Sequence, residues 1–383
     1  MMRVTKTLGR LAALSGAALA LALGLGATAA RAEESFPIGV CQSTAQGPAK
    51  FAAALLKGTE LALEGVNANG GIDGKKVVIV PVDVGNNDPA QARLSFTKAF
   101  EVDKIKALLC WGTNVLVQNG PLIDEAGVAT FTISQGLNVT AKAKLIQQLE
   151  AVTTLQCRAV ARHLKANFPQ VKTFAVLYVN YEFGIESRDQ CEIEFGKEGI
   201  KLVASEGHPN APSDLRAQTT KLLEAKPDAI YLAPIGGGTV PLAIRAGREL
   251  GYEGLYITHS AGDTPDVYRL KLAEQNFFFI SHVTPDQAPQ AVKDAMDTLG
   301  GYAGAGFDYG WTIAHIANEL KADGKEITGT ALIERLRADS RVTTPLNDFI
   351  FLADGKTVRP LGVFGVKDGG RYLVKSIAAS DLE

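Results

Sequence analysis

Two successive runs in which apolar strands alternate with amphipathic helices leave this 383-residue chain few architectures to choose from. Such alternation requires parallel sheets covered by helices on both faces. The first run reads as a strand at 37–40 and a helix carrying Phe51, Leu55, Thr59, Ala62 and Val66 on one face at spacings of three and four. Asn69-Gly70-Gly71-Ile72-Asp73-Gly74 stops that helix. A strand at 76–84 follows, then a helix to 100 with Asp88 as N-cap and Pro89 in the first turn. Next come a strand at 105–110, a turn Trp111-Gly112-Thr113-Asn114, a helix at 115–125 and a strand at 128–133. The second run has helices at 152–167, 183–198, 213–225 and 238–250, with strands at 173–179, 200–204, 228–233, 255–258 and 277–283. Its tail adds helices at 288–299, 306–321 and 328–338 and short strands at 348–352, 362–366 and 372–375. Two runs imply two doubly wound α/β domains.

The N-terminus stands apart from this rhythm. Arg3, Lys6 and Arg10 precede an apolar run from 11 to 26, and Ala30-Arg31-Ala32 forms a small-x-small cleavage site, the pattern of a cleaved secretory signal peptide over 1–32. A membrane anchor is the competing reading. Cleavage would remove four basic residues and no acid, leaving the exported chain more acidic than the net −2 of the whole. No basic stripe points to nucleic acid. Export also exposes Cys41, Cys110, Cys157 and Cys191 to an oxidising compartment. Cys41 and Cys110 each end a strand, and Cys157 and Cys191 lie in helices of the second run, so the expected pairing is Cys41–Cys110 with Cys157–Cys191. Four buried thiols are the alternative.

Motifs for catalysis are missing from the sequence. Gly236-Gly237-Gly238 lacks the Lys-Ser/Thr of a phosphate loop, there is no HExxH, CxxC or GxSxG, and the five histidines have no ligand spacing. The expectation is therefore no enzyme, no metal and no cofactor. The positive signals are polar and aromatic residues at strand ends, where open α/β sheets bind ligands. They are Trp111, Thr113, Asn114, Ser134 and Gln135 from the first run, and Tyr181, Phe183, Ile235, Ser260 and Asp263 from the second, with His259 beside them. Thr113 and Asn114 fall where a helix N-cap belongs, next to unpaired N–H groups and the positive end of a helix dipole, a natural seat for a carboxylate.

The stretches 56–62, 66–75, 83–90, 121–128 and Phe351-Leu352-Ala353-Asp354-Gly355 resemble the periplasmic substrate-binding proteins of the branched-chain amino-acid type, over nearly the whole exported chain. The resemblance implies a type I periplasmic binding fold: two doubly wound lobes joined by a three-crossover hinge, residues 33–150 plus 285–340 in one and 151–284 plus 341–383 in the other. It implies a monomer in the periplasm that captures a small-molecule ligand between closing lobes and delivers it to the membrane permease of an ABC transporter. Thr113 and Asn114 match the family's carboxylate-binding serine pair, and Tyr181 or Phe183 its covering aromatic residue. Gly136, Ile133 and Pro234-Ile235 depart from the family pattern. The leading expectation is a hydrophobic or branched-chain amino acid with Asp263 on its ammonium; the alternatives are an aromatic or aliphatic acid lacking an ammonium, and a ligand sensor of the same fold.

Overall fold

The computed structural model describes residues 35–44, 48–233 and 238–382. The expected signal segment and Ile235 lie outside them. One lobe contains β1 (Phe36–Gln42), α1 (Ala49–Ala68), β2 (Val77–Asp83), α2 (Pro89–Glu101), β3 (Ala107–Cys110), α3 (Thr113–Ala126), β4 (Ala129–Thr132) and β5 (Ile146–Gln148). The other begins with α4 (Thr153–Asn167), β6 (Thr173–Val179), α5 (Glu182–Lys197), β7 (Lys201–His208) and α6 (Arg216–Glu224). It continues through β8 (Ala229–Ala233), α7 (Thr239–Glu249), β9 (Leu255–Thr258), α8 (Pro265–Tyr268) and β10 (Phe277–Ser281). The chain then returns through α9 (Gln290–Leu299), α10 (Tyr302–Ala322) and α11 (Gly329–Asp339) to β11 (Arg341–Thr343), β12 (Asp348–Phe351) and β13 (Thr357–Val358). It closes with β14 (Leu361–Lys367) and β15 (Gly370–Ile377).

The first sheet has the order β2-β1-β3-β4-β5, all parallel. The second repeats it as β7-β6-β8-β9-β10 and adds β14 and β15 antiparallel at one edge. Each order reverses direction once, at β1/β3 and at β6/β8, and a crevice opens outside the strand ends at such a point. The strands are apolar because helices cover both faces: every residue of β3, β4, β8 and β9 is buried. At α2 the Asp88 carboxylate accepts the N–H groups of Ala90 (2.8 Å) and Gln91 (3.2 Å), and Pro89 is the first helical residue, as the sequence predicts.

One strand escaped the sequence reading, and one small sheet was only partly read, its strand at 348–352 alone being expected. β5 is only three residues long and carries two glutamines, Gln147 and Gln148, whose side chains are fully buried and serve the backbone of neighbouring segments. The second is the small sheet β11-β12-β13. The sequence places everything from 341 onward with the second lobe, but Val342, Phe349 and Phe351 pack into the core of the first, together with Phe131 and Leu332. Only β14 and β15 join the second sheet. The segment follows its apolar face: Phe349 and Phe351 stack at 5.2 Å and are buried.

The three passages between lobes follow β5, β10 and β13, and each carries an ionisable residue into one buried cluster. Glu150 lies 2.6 Å from His282, and Arg359 donates to Leu149 O at 2.9 Å with Asp308 of α10 at 3.9 Å. Burial pushes the Glu150 carboxyl up, but His282, Arg359 and His259 outweigh it and hold the group below the usual carboxylate range.

Both disulfides have the expected pairing. Cys41–Cys110 ties β1 to β3 at their C-terminal ends, with Cα atoms 4.9 Å apart, and Cys157–Cys191 ties α4 to α5 at the same separation. The chain separations of 69 and 34 residues correspond to roughly 4 kcal/mol of loop-closure entropy each. Replacing Cys157 and Cys191 together by Ala is expected to cost about 2–4 kcal/mol of stability in thermal unfolding. A melting temperature that responds neither to this change nor to a reductant would contradict the role given to the bridges.

Candidate functional site

The two direction-reversal points face each other across a cleft, and a cavity lies between them. The space there, open solvent included, is about 540 Å³. From the first lobe it is lined by Phe51, Asn87, Trp111, Gly112, Thr113, Ile133, Ser134, Gln135 and Tyr302; from the second by Phe183, His259 and Ala261.

The floor is the start of α3. The first bond of this helix runs from Leu116 N–H to Gly112 O (3.0 Å), which leaves the N–H groups of Thr113, Asn114 and Val115 without an intrahelical acceptor. The N-cap is Gly112, with φ +87°, and not Thr113 or Asn114. Glycine is needed there twice over, because a Cβ would strain that backbone and stand 1.8 Å from Asn87 Oδ1. Thr113 is the first helical residue and faces the cavity, its side chain lying over Gly136, where a Cβ would come within 3.0 Å of both Thr113 Cγ2 and Oγ1. Gly136 thus makes room for the Thr113 side chain.

The structure brings Trp111, Thr113, Ser134, Gln135 and Phe183 together on the cavity wall. Trp111 packs edge-on against Phe51 (4.9 Å), Phe51 lies 6.0 Å from Tyr302, and Phe183 meets His259 edge-on at 5.4 Å. Ser260 stands one layer behind. It accepts from Gln135 Nε2 at 2.7 Å and shares a hydrogen bond with the Tyr302 hydroxyl at 3.2 Å. Tyr181 also stands back, its hydroxyl accepting from Asn87 Nδ2 at 3.4 Å. Burial raises both phenols well above the usual tyrosine range, so each remains neutral.

Two of the expected residues lie outside this lining. Asn114 turns away from the cavity and accepts from Gln118 Nε2 at 2.6 Å on its own helix. Asp263 does not line the cavity either. Its carboxylate accepts from Arg371 Nη1 and Ser281 Oγ, each at 2.5 Å, and from the Tyr268 hydroxyl. Removing a carboxylate from such a buried pair would strand the guanidinium, so Asp263 is committed to structure and is not free for an ammonium. No acidic side chain lines the cavity among the described residues, and the undescribed internal segments Ala45-Gln46-Gly47 and Pro234-Ile235-Gly236-Gly237 contain no charged residue.

Phe51, Asn87 and Tyr302 were missed as site residues. Phe51 reads as the first member of an apolar helix face and Tyr302 lies outside the expected helix at 306–321, so neither announces a cleft. Asn87 did leave a signal: it precedes an N-cap and adopts φ +60°, a conformation that asparagine tolerates better than most residues.

A family model described as periplasmic binding protein matches residues 36–371. An amino acid binding protein of Pseudomonas aeruginosa is 25% identical over 265 residues, 69% of this chain and 66% of that protein. The chain spans about half to two thirds of the length of the curated relatives it matches. Among solved structures, a leucine binding protein from Thermotoga maritima superposes with a TM-score of 0.79 at 17% identity, over 90% of this chain and 99% of that one. A solute binding protein of an ABC transporter from R. palustris in complex with benzoate gives 0.78 at 17% identity, over 90% and 97%.

Gly112→Ala is expected to destabilise the fold by about 1–3 kcal/mol through the strained φ and the clash with Asn87. Adding Asn87→Gly should return part of that loss, because the two effects share one contact. Thermal unfolding of the single and double variants checks this, and strictly additive losses would contradict the contact.

Proposed function

Because the chain belongs to the periplasmic binding protein family, we propose that it is the extracytoplasmic capture component of an ABC importer, taking a small organic carboxylate without an ammonium group. Its family and fold neighbours are substrate-binding proteins, not enzymes. The observation that carries the ligand class is the character of the cavity wall: five aromatic rings counting His259, neutral polar groups, a helix start, and no acid. An ammonium would be buried there without a counter-charge, which is costly. A carboxylate would meet the opposite situation, since the open N–H groups of α3 and the hydroxyls of Thr113 and Ser134 all offer donors.

In this reading the carboxylate sits at the start of α3 while the apolar body of the ligand lies among Phe51, Trp111, Phe183 and Tyr302. A micromolar ligand needs about 8 kcal/mol net. Charge-assisted hydrogen bonds supply roughly 1.5–3 kcal/mol each before ordering costs, so burial against the rings must provide a large share. The benzoate of the R. palustris neighbour is a ligand of this chemical kind. The protein works as a periplasmic monomer whose lobes, 33–150 plus 285–358 and 151–284 plus 359–383, close on the ligand and reopen at a membrane permease. Closure is supported by bonds that cross the cleft: Gln135–Ser260, Asn87–Tyr181, Leu137–Glu186 and the exposed Lys50–Asp266 pair at 2.5 Å.

Calorimetry against a panel of aromatic acids, aliphatic acids and amino acids tests the reading. Acids of the benzoate type are expected to bind and leucine is not; tight binding of leucine, with benzoate inert, would overturn the ligand class. Thr113→Ala with Ser134→Ala should weaken a bound acid by about 3 kcal/mol, roughly a hundredfold. Asn114→Ala should leave the affinity within about a factor of two, since its side chain faces Gln118.

A further inference from the structure

Away from the cavity, the first turns of α5 meet the loop after β4 across the cleft. Glu186 accepts the Leu137 N–H at 2.8 Å through Oε1, and Glu182 accepts from Asn138 Nδ2 at 3.4 Å. The other Glu186 oxygen, Oε2, is buried and has no hydrogen-bond partner. A carboxylate with one N–H donor and one enclosed, unpaired oxygen is a poor place for a full negative charge.

Among the described residues, no cation pairs with it. On its own helix the flanking charges are Glu182 and Asp189, both acidic, and Arg188 is occupied by Asp189 (2.7 Å) and the Tyr178 hydroxyl (3.3 Å). The facing loop, residues 133–140, contains no charged residue. The only charges of α3 are Asp124 and Glu125 at its far end, where Asp124 accepts the N–H groups of Lys144 and Leu145. On α4, Arg158 binds Glu194 (3.0 Å), Arg162 binds Asp381 O, Lys165 binds Glu198 O (3.1 Å), and His163 lies beside Asn167. β6 and β8 carry no charge, and β7 carries Lys201 at its start, Glu206, which accepts from Lys221 Nζ at 3.4 Å, and His208 at its end, whose ring meets Pro209 O at 2.7 Å. Burial, reinforced by Glu182 and Asp189 and only partly offset by the Leu137 N–H, pushes the Glu186 carboxyl up to about 7.

We propose that Glu186 couples closure of the two lobes to the uptake of one proton, so that acid favours the closed state and ligand capture tightens as pH falls. The proposal rests on lobe closure as described above but not on which acid is bound. Opening separates α5 from the loop and returns Glu186 to water, where a glutamate ionises near its usual value of about 4.3. The closed state therefore holds the proton more strongly. Below about 4.3 the group is protonated in both states and the linkage vanishes; above about 7 it is ionised in both. Between these limits each unit of pH changes the ratio of closed to open by up to about tenfold, on the order of a hundredfold across the window.

Small-angle scattering of the ligand-free protein between pH 5 and pH 8 reads this ratio directly. The wild type should become more compact as the pH falls. Glu186→Gln, which keeps an acceptor for the Leu137 N–H but cannot ionise, should stay compact at every pH. Glu182→Gln, which removes one like charge, should keep the transition and move it to lower pH, so the test survives if the first variant folds poorly. Dimensions of the wild type that do not change with pH would overturn the proposal. So would an unaltered transition in Glu186→Gln. No ligand is added, so a failure of benzoate to bind would count against the ligand class alone.

Discussion

The three passages between the lobes converge on one buried group of ionisable side chains, and the cleft depends on that convergence. Glu150 follows β5, His282 follows β10 and Arg359 follows β13, while Asp308 approaches from α10. Charges in such a place hold together because separating any one leaves another unpaired in a low dielectric, at a cost of about 3–5 kcal/mol. These contacts hold the three passages together. Within each lobe a disulfide removes further slack: Cys41–Cys110 fastens the strand ends next to Trp111 and Gly112, and Cys157–Cys191 fastens α4 to α5.

Two lobes joined by three passages bring two ordinary sheet features together as a candidate site. Each sheet reverses its strand order once, and the hinge aims the two reversals at each other. On one side the chain must pass from β3 into α3 through Gly112, which puts a helix start at the floor of the cleft. On the other, β6 and β9 deliver Phe183 and His259 as the opposing wall. In the proposed closure, water around these groups is exchanged for protein, which strengthens the polar contacts and buries the rings together. Glu186 lies on the same closing surface but outside the cavity, so what it contributes is independent of the shape of the ligand.

Much of the fold was legible because periodicity reports burial. Strands buried on both faces read as continuous apolar runs, as Thr173–Val179 does, and Asp88-Pro89 marked a helix start without ambiguity. The small sheet at 341–358 was assigned to the wrong lobe because two-to-four-residue strands carry no signal of what they pack on. The site was legible only in part. Thr113, Trp111 and Ser134 stand at strand ends, which topology makes significant, but Asn114 is their neighbour in sequence and faces elsewhere on the helix. Asp263 shows the sharper limit. Its acidity suggested a ligand contact, and only the position of Arg371, 108 residues further on, reveals that the charge is already matched.

The central claim is that an organic anion without an ammonium is held at the start of α3. The most direct measurement is a crystal structure of the protein with benzoate. The account predicts density in the cavity with the carboxylate within hydrogen-bonding distance of the Thr113 hydroxyl and the first N–H groups of α3, and the ring among Phe51, Trp111, Phe183 and Tyr302. A carboxylate bound elsewhere, or an amino acid whose ammonium contacts Asp263 after release from Arg371, would contradict it.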